Sequence, residues 1–172
     1  LTNCYDRDWS DWFRGRERTW KFIDEREWVM GSYQWIGFDH RGETVWPRLS
    51  SCSGAIDMFL LKKDAFWHNK ALWTREPMIH LLPHWNHPGH EGEIIKVWAY
   101  TNCDSAELFV DGVSRGKVEL QPHDHAAWEV EYHPGKIEVV GYKDGRECCR
   151  DAHETTTAPI KLMLRCETPD VK

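Results

Sequence analysis

Long apolar runs are missing from this sequence. Nowhere do the roughly 18 consecutive apolar residues needed to span a bilayer occur, so no membrane-spanning helix and no membrane partner is expected. The opening residues, Leu1-Thr2-Asn3-Cys4-Tyr5-Asp6, have neither the basic region nor the apolar stretch of a secretion signal. Positive charge is also scarce. Lys and Arg number 22 against 28 Asp and Glu, a net charge of -6, whereas phosphate binding needs a basic surplus on one face; nucleic acid is therefore excluded as a partner. The basic run Arg14-Gly15-Arg16-Glu17-Arg18 is broken by an acid and reads as a solvated helix face. CxxC spacing is absent too. The six cysteines (Cys4, Cys52, Cys103, Cys148, Cys149, Cys166) are scattered, and adjacent Cys148 and Cys149 would point to opposite faces of a strand. In a chain of 172 residues this pattern fits reduced thiols rather than a disulfide framework, which leans the localisation toward the cytosol.

What is present in excess is tryptophan, with 11 residues. Its large, rigid ring can pave a core, and its flat face can also stack on the C–H patches of a sugar. With 41% hydrophobic and 29% charged residues the remaining composition is that of an ordinary globular protein, long enough for one good core or two small ones.

The patterning changes near Glu76-Pro77. Before it, Trp9, Trp12, Phe13, Arg16, Trp20 and Ile23 fall near one helical face and predict a helix over roughly residues 10 to 26. The β-formers of Trp28 to Ile36 predict a buried strand, and a glycine-punctuated stretch from Gly37 to Lys62 an irregular loop. Asp64 then caps a predicted helix with Phe66, Trp67, Lys70 and Trp73 along one side. Helix, strand, long loop, helix is the pattern of the last repeat of a (β/α)8 barrel, where the loop after the strand carries the chemistry.

After Pro77 the period is two. Ile95, Val97 and Ala99 alternate with Lys96, Trp98 and Tyr100; Trp128, Val130 and Tyr132 alternate with Glu129 and Glu131; Ile160, Leu162, Leu164 and Cys166 alternate with Lys161, Met163 and Arg165. Asp111-Gly112 and Asp144-Gly145 are type I′ hairpin signals. About seven short strands with such turns predict an immunoglobulin-like β-sandwich. The fold class expected is therefore mainly β, a sandwich preceded by the last βα segment of a barrel.

The segment Gly31-Ser32-Tyr33-Gln34-Trp35-Ile36-Gly37-Phe38-Asp39-His40-Arg41-Gly42-Glu43 resembles the signature around barrel strand eight of glycoside hydrolase family 2, the group of the β-galactosidases. Trp46-Pro47, Ser50-Ser51, Ile56-Asp57 and Lys63-Asp64-Ala65-Phe66 continue the likeness. So do Pro83-His84-Trp85-Asn86, Thr101-Asn102, Glu107 to Gly112 and Val140 to Gly145. The resemblance implies that residues 1–76 are the end of the catalytic barrel and residues 77–172 the immunoglobulin-like domain that follows it. It further implies a retaining exo-glycosidase acting on a terminal β-galactoside, with carbohydrate as partner and no cofactor. Such chemistry needs two carboxylates about 5–5.5 Å apart, and the family places both upstream of Leu1. No catalytic residue is therefore assigned within this chain, which alone should not hydrolyse glycosides. By match of motif Trp35 lines the subsite of the terminal sugar, and Asp39, Arg41 and Glu43 are polar groups near its mouth. The Asn-x-Lys pair of the glucuronide-cleaving relatives has no counterpart here, which turns the expectation away from uronic acids. His40 stands where an aromatic residue is more usual.

Other constellations weigh less. Asp39 and Glu43 lie four apart on one loop and are not read as an acid and base: Glu43 is read as shaping the loop, and Asp39 as either contacting the sugar or shaping the loop. His84, His87, His90 and Glu91 have a metal-like spacing, but Pro88 and Gly89 make the segment irregular, so no metal site is assigned. Trp98 is either an interdomain contact or an exposed platform; the latter would favour a non-catalytic carbohydrate-binding or scaffold module. Residues 1–76, taken from a barrel, are expected to be rearranged, poorly ordered or covered by a partner chain, and self-association of identical chains is compatible with the sequence.

Overall fold

A computed structural model describes residues 16–44, 46–47 and 49–163. Its larger part is a two-layer β-sandwich. One antiparallel sheet holds β3 (Ile79–Leu82), β4 (Ile94–Thr101) and β7 (Ala126–Glu131) in the order β3-β4-β7. The other holds β5 (Ser105–Val110), β6 (Val113–Glu119), β8 (Lys136–Lys143) and β9 (Arg146–Glu154) in the order β6-β5-β8-β9. First, second and fifth strands thus face fourth, third, sixth and seventh. This is the immunoglobulin-like arrangement with the fourth strand paired to the third instead of extending the first sheet.

The period-two pattern places the core. Val97 and Ala99 of β4, Trp128 and Val130 of β7, Leu108 and Val110 of β5, and Ile137 and Val139 of β8 are buried between the sheets. Each such large aliphatic side chain contributes about 1.5–3 kcal/mol by leaving water. Trp85, after β3, is buried with its indole N–H donating to the His133 carbonyl at 3.1 Å, so its one polar atom is satisfied. Both Asp-Gly pairs form two-residue hairpins: Val110 pairs with Val113 and Lys143 with Arg146. All four turn residues have positive φ (48° and 79°, 51° and 73°), as a type I′ turn requires. The strand predicted at 160–166 is not seen over its described residues. Residues 160–163 are exposed and without regular structure, and Leu164 and Cys166 lie outside the described residues. Thr155 and Thr156 are tied instead to the Trp85 carbonyl and Asn86, which turns the chain off the sheet after β9.

Ahead of the sandwich lie α1 (Arg16–Asp24), β1 (His40–Arg41), β2 (Ser50–Ser51) and α2 (Asp64–Trp73). α1 is the described part of the predicted helix; Trp9, Trp12 and Phe13 lie outside the described residues. It rests on the β6–β7 loop through Lys21–Asp124, Asp24–His123 and Glu17–His125 ion pairs. The expected strand at 28–36 is absent: Trp28, Met30, Tyr33 and Trp35 are exposed. Strand propensity counts only where a neighbour takes up the backbone groups. That neighbour exists just beyond, where Ala55 N–H donates to Ile36 O (3.1 Å), Ile56 to Gly37 O (3.0 Å) and Asp39 to Ile56 O (2.8 Å), around a parallel bridge between Phe38 and Ile56.

α2 appears at the expected place, but two expectations about it change. Lys63, not Asp64, holds the cap position and makes no side-chain capping bond; Asp64 is the first helical residue and its carboxylate is used elsewhere. The buried face is not the aromatic one either. Ala65, His68, Asn69 and Ala71 are the buried residues, Phe66 and Trp67 are partly buried against neighbouring clusters, and Trp73 is exposed.

Candidate functional site around the 31–63 loop

Trp35 is 61% exposed, follows exposed Gln34, and is joined to Ile36 by a cis peptide bond. Its ring meets His40 edge-on, with centroids 6.1 Å apart and planes at 86°. His40 in turn is hydrogen-bonded through Nε2 to Glu43 Oε2 at 3.2 Å. The link between them is a tight reversal. β1 pairs with β2, Gly42 has φ 86° and Glu43 φ 46°, so the chain turns back at once and brings Glu43 to His40. Trp35, His40 and Glu43 therefore form one group, and exposed Arg41 projects from the same short strand.

Asp39 belongs to a different environment. Its Oδ1 accepts from Lys63 Nζ and from the Gly54 N–H, both at 2.8 Å. Lys63 also donates to the Cys52 carbonyl at 2.9 Å. The Lys63 side chain is 1% exposed and that of Asp39 10%, so this is an interior ion pair with its charges satisfied. The pair clamps the two ends of the loop, residue 39 to residues 52–54 and to the start of α2. Gly54 is required at this crossing: a Cβ there would sit 2.2 Å from the Asp39 nitrogen. Of the four sequence-predicted residues, the structure brings Trp35 and Glu43 together through His40, leaves Arg41 on the surface, and turns Asp39 inward to shape the loop.

The segment next to this group is apolar and open. Asp57 folds residues 57–61 into a turn, its carboxylate accepting from the N–H groups of Phe59 and Leu61 at 2.8 Å. The turn presents Phe59, Leu60 and Leu61 outward. With Trp28, Met30, Tyr33, Phe38 and Trp46 they leave far more large apolar side chains exposed than scattered surface residues require.

α2 connects this loop to the sandwich. Asp64 accepts from His80 Nε2 at 2.8 Å, and His80 Nδ1 lies 3.6 Å from Asp151 Oδ2, so one imidazole joins α2, β3 and β9. Burial works against a charge on His80, but the bonds to Asp151 and Asp64 outweigh it and hold its pKa above the ordinary value. Trp67 stacks on His80 with centroids 5.1 Å apart, and His68 stacks on Tyr100 at 4.2 Å. His68 is pushed down to about 3, first by burial and then by the charge of Arg16, and so is neutral. Asn102 fixes the linker: it accepts from the Met78 N–H at 2.9 Å and donates to the carbonyls of Thr74 (2.9 Å) and Glu76 (2.7 Å).

Trp98 lies in this junction, half-buried against His125 and beside Leu82 and Tyr100. It is an inter-element contact and not an exposed platform, which removes the feature that would have favoured a free-standing binding module. The histidine string does not converge: His84 stacks on His87 and His90 pairs with Glu93. Among the described residues, the group of three close potential metal ligands is instead Cys103, Cys148 and Cys149, which sequence spacing did not reveal.

Comparison with known proteins places this arrangement. A family described as a domain of unknown function (DUF4982) matches residues 92–149, within the sandwich. A β-galactosidase of Bacteroides ovatus is 34% identical over 175 residues, covering 98% of this chain and 20% of that protein. A crystal structure of a β-glycosidase from Bacteroides vulgatus superposes with a TM-score of 0.81 at 42% identity, over 84% of this chain and 19% of the other. A glycosyl hydrolase family 2 member from Bacteroides cellulosilyticus superposes with a TM-score of 0.75 at 25% identity, over 83% of this chain and 24% of the other. Further relatives from Formosa agariphila and Bacteroides fragilis carry β-glucuronidase names. The chain spans only about 15–20% of the length of the curated relatives it matches. Its relatives and structural neighbours are thus glycoside hydrolases of family 2, both β-galactosidases and β-glucuronidases.

Proposed function

We propose that this chain is the C-terminal portion of a retaining family 2 glycoside hydrolase: residues 1–76 close a (β/α)8 barrel, and residues 77–172 are the β domain that supports it. The observation that carries this reading is the open apolar surface from Trp28 to Leu61, on a segment whose ends are nevertheless clamped by Asp39 and Lys63. A loop with a satisfied interior ion pair and an uncovered aromatic exterior is shaped to be covered. A preceding barrel would cover it.

In that setting double displacement uses two carboxylates held by the upstream barrel, one as nucleophile and one as acid and base. This chain adds the wall. Trp35 offers its ring face to the C–H side of the terminal sugar, His40 and Glu43 back that ring, and Arg41 lies at the rim. Asp39 acts through Lys63 and Gly54 to position the loop. The substrate class is a terminal β-galactoside, supported by the absence of the Asn-x-Lys pair that marks glucuronide-cleaving relatives.

Hydrolysis of nitrophenyl β-galactoside and nitrophenyl β-glucuronide tests both halves. This chain alone should turn over neither. Joined to its upstream barrel it should favour the galactoside, and Trp35→Ala should lower kcat/KM about tenfold or more, the loss expected when one aromatic face is withdrawn from the sugar. Turnover by the isolated chain would overturn the assignment of the carboxylates. A preference for the glucuronide would overturn the substrate class alone.

A further inference from the structure

Cys103, Cys148 and Cys149 come from distant or adjacent positions but meet in space. Cys103 lies in the turn between β4 and β5, and the other two lie on β9. Strict alternation would send Cys148 and Cys149 to opposite faces. The pairing of β8 with β9 prevents this. Gly141 pairs with Cys149 and Tyr142 with Glu147, so Cys148 is the extra residue of a bulge, and both thiols turn toward Cys103. The Sγ–Sγ separations are 3.3 Å (Cys103–Cys149), 3.4 Å (Cys103–Cys148) and 3.8 Å (Cys148–Cys149).

Room for these sulfurs depends on Gly141. A Cβ at that position would stand 2.7 Å from Cys149 Sγ and 2.8 Å from Cys103 Sγ. The backbone around the group is fixed as well: the Cys103 N–H donates to Thr101 Oγ1 at 3.1 Å, and the Cys148 thiol to the Gly141 carbonyl at 3.4 Å. Burial is graded, with Cys103 buried, Cys149 half-buried and Cys148 exposed, so the triangle opens to solvent on one side.

We infer that Cys103, Cys148 and Cys149 form a binding site for a thiophilic d10 cation of the zinc class, three thiolates from the protein and the fourth position open to solvent. A tetrahedral ion with metal–sulfur bonds of about 2.3 Å has sulfur–sulfur edges of about 3.8 Å. The three observed edges equal that length or fall within half an ångström of it, so the ion enters by a slight spreading of side chains already converged. Thiolate donors suit zinc and its softer congeners and not calcium or magnesium. The thiols would release their protons to solvent on metal entry. The bound ion would pin the β4–β5 turn to the β8–β9 bulge.

The test is equilibrium dialysis of the reduced chain against zinc, with cadmium as the spectroscopic probe. One ion per chain is expected, with a thiolate-to-cadmium charge-transfer band in the ultraviolet and a raised thermal midpoint. Cys148→Ser, at an exposed position, should weaken binding by more than the roughly 10–100-fold that loss of a supporting partner costs a metal site. Cys103→Ser should do the same. Gly141→Ala keeps every thiol but fills the space between two of them, and should also weaken binding; Cys52→Ser should not. The inference is overturned by absence of binding in the wild-type chain, by binding that survives Cys148→Ser or follows Cys52, or by recovery of Cys103 as a disulfide under reducing conditions.

Discussion

Replacing Asp39 by Asn tests whether the loop is held by its interior ion pair. The substitution preserves size and an oxygen able to accept from Gly54, but removes the charge opposite Lys63. The ammonium, 1% exposed, would then keep the Cys52 carbonyl but face a neutral amide in place of the carboxylate at 2.8 Å. Breaking a buried pair on one side costs about 3–5 kcal/mol, because the remaining charge stays desolvated. Since the pair joins loop ends and not the sandwich core, the loss should be local. Hydrogen exchange reads it directly: the amides of Gly54, Ala55, Ile56 and Lys63 are each hydrogen-bonded within this crossing. At about 1.4 kcal/mol per decade their exchange should accelerate roughly a hundredfold to several thousandfold. Amides of Val97, Leu108 and Val139 in the sandwich should exchange as before. Adding Lys63→Met should recover much of the loss, since it removes the buried charge that Asp39 balanced. Acceleration below about fivefold, under ~1 kcal/mol, would refute the reasoning and assign the loop's shape to its backbone bonds.

Two further outcomes are expected at the junction. The raised pKa of His80 means that its folded form binds the proton more tightly than the unfolded chain. Its contribution is fully present below the unfolded value near 6.5 and is lost as pH rises through the folded value; thermal unfolding should show this slope above pH 6.5, and His80→Gln should flatten it. Asn102→Ala removes three hydrogen bonds that tie Thr74, Glu76 and Met78 to the sandwich and should cost about 2–3 kcal/mol in urea unfolding, whereas a loss under ~0.5 kcal/mol would show the linker to be held by packing alone.

The sandwich was legible because its signals are local. Alternation at 95–100 and 128–132 marks the inward face, and each Asp-Gly pair dictates its own turn. The first half was harder to read, since its fate depends on neighbours. Trp28 to Ile36 has the composition of a strand, yet a strand exists only where another chain segment satisfies its backbone, and that occurs at 36–39 against 54–56. The alternation at 160–163 fails for the same reason: among the described residues no segment pairs with it beyond β9. At the candidate site the motif pointed to Trp35, Asp39, Arg41 and Glu43 as one set. The structure separates Asp39 from the rest because Lys63, distant by 24 positions, supplies a countercharge that spacing does not reveal. The thiol group stayed hidden because a bulge reverses the parity on which strand reading depends; glycine at 141, opposite Cys149, is the one sequence trace of it.

The imidazole of His80 has a consequence for module exchange. By composition the natural place to cut and recombine this polypeptide is the Glu76-Pro77 boundary. A cut there would carry His80, Tyr100 and Asn102 away from Asp64, His68 and Thr74, so a grafted sandwich would arrive with a half-neutralised histidine and an unfilled face. The transferable unit begins instead ahead of Lys63 and takes α2 with it. Chimeras crossing over before Lys63 should keep this interface intact, and among related enzymes the identities at positions 64 and 80 should be inherited together.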